Sequence, residues 1–297
     1  MDSEPRRDST YRVWSEIVTS EPPYAEVGIP HAAEFYRALD ADSPPKRYRE
    51  TLALCHNAVA EHLDATREAL EQMRTVERTP LAQIRFEKQD VEPHLVEMDA
   101  FGSQGFVIRR TEAGYEYVPQ WNRYSRAIRV FANEGRGALE SFVYEAAFAF
   151  AAVPQKSGRD QERSIGMNRK TIDALANHAS QMRSPNLHAL AKHLQRIRDD
   201  PAFAELDALR SVGYHRNVPL MRAITEIEAD ATTMMPPAEA PALRFYRPAR
   251  FDNPDPDQPH EERCTAYCAV TLAWLMREIN EAYRLAALAI QDYSSSA

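Results

Sequence analysis

The sequence predicts a mainly α protein: an antiparallel bundle of long helices over about 119–291, preceded by a smaller N-terminal region with a short β-hairpin or meander. Three observations predict it. Apolar residues recur at steps of three, four or seven along several long segments, the period of an amphipathic helix. Ser-Pro and Asp-Pro pairs mark helix starts between those segments. Residues 83–118 instead alternate in short pieces around glycine-bearing turns.

In chain order, residues 1–45 carry prolines and little periodicity, which suits loops and short helices. From Lys46, the residues Tyr48, Leu52, Cys55, Val59, Leu63, Leu70 and Met73 form one apolar stripe, and Pro80 follows its end. The pieces QIRFEK, GFVIRR and YEYV then surround turn signals at Phe101-Gly102 and Ala113-Gly114. After Pro119 the helical period returns through Tyr124, Ile128, Phe131, Leu139, Phe142, Val143, Ala146 and Phe150, until Pro154 stops it.

A polar loop leads to a further helix near Arg169. Ser184-Pro185 starts the next, whose buried stripe is Leu187, Leu190, Leu194 and Ile197. Asp200-Pro201 repeats the signal ahead of Phe203, Leu206 and Leu209. Seven prolines make 231–260 a surface excursion. The last helix, Arg263 to Ile290, has Cys264, Cys268, Leu272, Leu275, Ile279 and Tyr283 on one face, widened by Tyr267, Val270 and Trp274. The expected division is 1–118 and 119–297, the Pro-rich excursion lying inside the second part.

With 297 residues, 44% of them hydrophobic and 27% charged, the chain can bury one large core or two modest ones. Its longest apolar run, Ala146 to Val153, is too short for a bilayer, and the stretch MDSEPRRDST has no signal-peptide character. Three cysteines, two of them one helical turn apart, do not suggest a disulfide framework. A cytoplasmic location without a membrane partner is expected.

The net charge of −8 argues against a protein that coats nucleic acid with its whole surface. The charge is uneven, however. Between Gln155 and Arg222 stand 12 Lys+Arg against 7 Asp+Glu, a local excess of +5. Such an island suits an anionic ligand such as a phosphodiester, and a solvated helical face accounts for it equally well.

No P-loop, dinucleotide fingerprint, G-x-S-x-G elbow or H-E-x-x-H pair is present. His260, Cys264 and Cys268 fall on one helical face but lack a second ligand pair for zinc, so the cysteines are expected to be buried thiols. Asp252 to Asp257 lacks the glycine and distal glutamate of a calcium loop. Gly135-Arg136-Gly137 could hold phosphate at a helix start, and a helix irregularity explains it as readily.

The segment FAELDALRSVGYHRNVPLM carries Arg210 and His215 in R-x4-H spacing, with Ser211 after the arginine and Arg216 after the histidine. Allowing four to six intervening residues, the bare pattern also matches Arg49 to His56 and Arg183 to His188. Only the Arg210 match has leucine before the arginine, a polar residue after it and arginine after the histidine. On a regular helix, residues five apart point about 140° apart. Gly213 is where the helix is expected to end or distort, so that Arg210 and His215 could converge.

That motif, set among long helices, resembles the HEPN superfamily over roughly 119–291. The resemblance implies a metal-independent endoribonuclease, of toxin or phage-defence type, that needs no cofactor. It would cut RNA by 2′-OH attack on the adjacent phosphorus, leaving a 2′,3′-cyclic phosphate and a 5′-OH. His215 would be general base or acid, Arg210 would stabilise the phosphorane, Ser211 would orient one of them, and Arg216 would hold a neighbouring phosphate. One histidine per motif implies a homodimer, and an antitoxin or defence-system partner protein is implied too. Asn217 stands where members paired with a nucleotidyltransferase antitoxin carry tyrosine, which argues against that mode of control. The alternative is a non-catalytic HEPN-like module that binds a nucleotide or another protein.

Overall fold

A computed structural model of the chain describes residues 24–42, 51–52, 55–78, 121–152, 165–215 and 260–294, with short extended stretches at 108–111, 114–117, 221–222 and 242–245. Seven helices account for most of them: α1 His31–Asp42, α2 Ala58–Arg78, α3 Trp121–Ala149, α4 Arg169–Met182, α5 Pro185–Asp199, α6 Pro201–His215 and α7 Cys264–Ser294. The fold is mainly helical, as the periodicity predicts. Backbone pairing joins Ile108–Thr111 to Gly114–Tyr117, and Ala242–Phe245 to both Met221–Arg222 and His260–Arg263, all antiparallel. Stretches of two to four residues make no layer of their own, so the β element expected over 83–118 gains no support as a structural unit.

Contacts group the described residues into two compact units. One draws on Met1–Asp64, Glu134–Ala204 and Leu272–Ala297, the other on Ala65–Asn133 and Glu205–Thr271.

The first unit is built where the later halves of α3 and α7 meet α1. Phe142 packs edge-on against Tyr283 at 4.7 Å, and Phe35 tilts against the same ring at 5.5 Å. Such pairs contribute about 0.5–1.5 kcal/mol beyond area burial. The expected packing of these two long helices is therefore present. α4 and α5 form a helical hairpin, and the start of α5 is the one expected at Ser184-Pro185. Asn168 Oδ1 accepts from the Thr171 N–H at the start of α4. Arg183 turns left-handed at its end (φ 53°), and the Ser184 N–H reaches back to the Ala179 carbonyl. Ser184 Oγ then accepts from the Leu187 N–H and caps α5, with Pro185 in the first turn as expected. Asp200 opens α6 by accepting from the Ala202 N–H and ties it to α7 through the Trp274 indole.

The second unit holds Leu70, Met73, Tyr124, Ile128, Phe131, Leu206 and Leu209, all buried. Cys264 and Cys268 are buried there too, Cys264 Sγ lying 3.9 Å from Met73 Sδ.

Four local expectations change. His56 and Asn57 form a turn just before α2, so the helix expected from Lys46 is not one uninterrupted rod. Gly135 and Gly137 lie inside α3, whose hydrogen bonds occupy their backbone N–H groups, and no helix starts there. Val270 is 68% exposed and does not widen the apolar face of α7. Finally, α6 runs through Gly213 to His215 without the expected break, because a single glycine costs a helix only about 1 kcal/mol.

Candidate functional site

Of the residues the sequence singles out, Arg210 and Ser211 lie half-buried on α6. His215 is that helix's last residue, and Arg216 falls outside the described residues. Arg210 and His215 both belong to α6, which continues through Gly213 between them. Their position at the carbonyl end of a helix has a simpler consequence. Cations there complement the macrodipole, whereas an anion would meet its negative pole.

Basic side chains do gather on the α4–α5 hairpin. Arg169, Lys170, Arg183, His188, Lys192 and Arg196 are all exposed. His188, Lys192 and Arg196 follow at i, i+4 and i+8 and so share one face of α5. The acids close by are already engaged. Asp199 accepts from Gln195 and Arg198, which hold its carboxyl below the usual range. Glu281 is held below its usual range by Arg284, whose Nε and Nη2 lie 2.7 and 2.6 Å from its oxygens.

At the end of that face, α5 meets α7. Glu278 is only 6% exposed, yet each of its oxygens meets a guanidinium. Arg196 Nη2 donates to Oε2 at 2.6 Å, and Arg277 donates to Oε1 from Nε at 2.9 Å and Nη2 at 2.7 Å. Buried His193 braces the group. Its Nε2–H donates to the Glu278 carbonyl at 2.9 Å, and its Nδ1 accepts from Arg196 at 3.1 Å. Because a carbonyl only accepts and a guanidinium only donates, these partners assign the ring proton to Nε2.

A second imidazole–carboxylate pair joins α2 to α3. His62 Nδ1 lies 2.6 Å from Glu134 Oε2, both side chains about one-third exposed. The ring rests on Gly137, where an added Cβ would stand 2.9–3.2 Å from its atoms. That gives Gly137 a packing reason in place of the phosphate role considered above. Neighbouring Arg136 is buried, its guanidinium 4.6 Å over the Phe203 ring and 3.1 Å from Glu140.

The sequence reading missed both clusters. Leu275 and Ile279 were placed on the buried face of α7, and Glu278, three residues past Leu275, was the available signal of a buried acid that needs partners. Nothing in the sequence pairs it with Arg196, 82 positions away. Among the described residues, no three His, Cys, Asp or Glu side chains are grouped to hold a metal, and no helix is long and apolar enough to cross a membrane. Comparison with protein-family models, curated proteins and solved structures finds no match to this chain.

Proposed function

We propose that this chain is a non-catalytic, HEPN-like helical module that binds RNA or a nucleotide through basic surface on the α4–α5 hairpin. The observation that carries this is the set of exposed basic side chains on one hairpin, with the cations Lys192 and Arg196 following His188 along a single face of α5, in a chain whose net charge is −8. A phosphate backbone repeats its charge regularly, and cations one helical turn apart, with nearby acids already paired, meet that repeat. What supports binding over cutting is that α6 continues through Gly213, without the break on which convergence of Arg210 and His215 is expected to depend.

Endoribonuclease chemistry is the second proposal, favoured by Arg210 and Ser211 standing side by side, half-exposed, with buried Leu209 before them. It requires a homodimer in which the motifs of two copies share one phosphate, with Arg216 on the next. An antitoxin or defence-system partner belongs to this proposal alone.

Fluorescence anisotropy with a labelled single-stranded RNA tests the first proposal. Binding should weaken as salt rises, with a slope of about −0.7 in log K against log salt for each phosphate contacted. An affinity that does not change with salt, or no binding at 50 mM salt, would overturn it.

A further inference from the structure

We propose that Arg196 and Arg277 form a phosphate-binding fork, set in place by buried Glu278 and His193, that takes one phosphodiester of the RNA. This rests on the binding function proposed above and names the subsite within it.

The charge count comes first. One guanidinium neutralises one carboxylate, and Glu278 has two. The group therefore carries a surplus positive charge, with His193 contributing none in the tautomer its partners assign. That surplus faces water, for the Arg196 and Arg277 side chains are 66% and 68% exposed while the Glu278 side chain is 8% exposed. Arg196 Nε and Nη1 and Arg277 Nη1 have no hydrogen-bond partner among the described residues, which leaves donors for an incoming anion.

Positioning comes second. Arginine loses considerable side-chain freedom when a ligand fixes it. Here each guanidinium is already anchored at its inner edge, Arg196 on both Glu278 Oε2 and His193 Nδ1, Arg277 twice on Oε1. Folding has borne the ordering cost before the ligand arrives. Both groups sit on the two oxygens of one carboxylate, so the fork gives a phosphate two guanidiniums held on a common anchor. Planar, paired donation is the geometry that favours arginine over lysine for phosphate.

Continuity comes third. Arg196 ends the line begun by His188 and Lys192, so a strand held at the fork continues along the exposed face of α5. Glu281 and Asp199, which stand on the fork's two helices, are engaged with Arg284 and with Gln195 and Arg198. Little uncompensated negative charge opposes the phosphate.

The test uses the full chain and a fluorescein-labelled decauridylate, with affinity measured by anisotropy across 25–200 mM KCl. Arg277→Gln keeps a hydrogen-bonding side chain beside Glu278 and should weaken binding roughly fivefold or more, lowering the salt slope by about 0.7. Arg277→Lys retains the charge, so it should keep the slope while losing affinity, and it stays informative if the glutamine variant unfolds. Arg37→Gln, at an exposed position of α1, removes the same charge elsewhere and should change neither. Arg277→Gln and Arg277→Lys that are folded and indistinguishable from Arg37→Gln would overturn the fork while leaving RNA binding in place. A wild type that binds no decauridylate would overturn the fork and the proposed function together.

Discussion

The Tyr283 hydroxyl donates to Glu145 Oε2 at 2.7 Å inside the aromatic core of the first unit, and the other oxygen of this fully buried carboxyl has no hydrogen-bond partner there. Tyr24 and Tyr36 stack beside it at 5.7 Å, and both hydroxyls donate to the His56 carbonyl. Burial pushes the Glu145 carboxyl up from 4.5 to about 8, against the opposing pull of the Tyr283 hydroxyl. Burial likewise raises Tyr36 and Tyr283 well above the usual phenol range, with Glu145 adding to the shift. The core therefore holds Glu145 as a neutral acid.

A pH dependence follows, and its sign is fixed. The folded value lies above the unfolded one, so the stability contributed by protonated Glu145 is complete below about 4.5 and is lost as pH rises through about 8. Glu145→Gln keeps a neutral side chain of similar shape. Its thermal midpoint should match the wild type near pH 5 and exceed it by several degrees at pH 9. A glutamine variant that declines with pH as steeply as the wild type would show that Glu145 does not titrate in this way.

Gly137 and His62 should be energetically coupled. Alanine inside a helix is favoured over glycine by about 1 kcal/mol, but a Cβ at 137 would press the His62 ring off Glu134. With His62 already replaced by alanine, Gly137→Ala should stabilise by about 1 kcal/mol, and with His62 present the gain should vanish or reverse. Equal effects in the two backgrounds, measured by urea unfolding, would mean that the ring does not depend on the glycine.

Ser184 and Asp292 tie the start of α5 to the end of α7. Ser184 Oγ donates to Asp292 at 2.6 Å, and Asn186 adds its backbone N–H and its side-chain amide. Burial opposes ionisation of Asp292, yet these donors hold its carboxyl below the usual range. That contribution is present above the unfolded value near 3.8 and is lost as pH falls through the depressed folded one. Ser184→Ala should cost about 1 kcal/mol as a lost cap. Asp292→Asn should remove part of the acid sensitivity below pH 4. If both variants unfold at wild-type urea concentrations, the tie is unimportant.

The helices and their caps were legible because period and capping chemistry are local. Every apolar residue expected on the α3 stripe is buried, and Ser184-Pro185 starts α5 as expected. What the sequence hid depends on partners far along the chain. Glu145 and Glu278 both lie within apolar faces, and their compensation by Tyr283 and by Arg196 comes from elements 138 and 82 residues away. Gly213 misled for a different reason. Glycine permits a helix to break but does not require it, and α6 continues through it to His215.

The central claim is binding without cutting, and one experiment bears on it most directly. The wild type, Arg210→Ala and His215→Ala are incubated with 5′-labelled single-stranded RNA in EDTA, and each sample is resolved on both native and denaturing gels. The account predicts RNA that is shifted on the native gel and intact on the denaturing gel for all three proteins. Cleavage to 2′,3′-cyclic phosphate ends by the wild type, reduced about 10²–10⁴-fold in His215→Ala, would contradict it and establish the motif as catalytic.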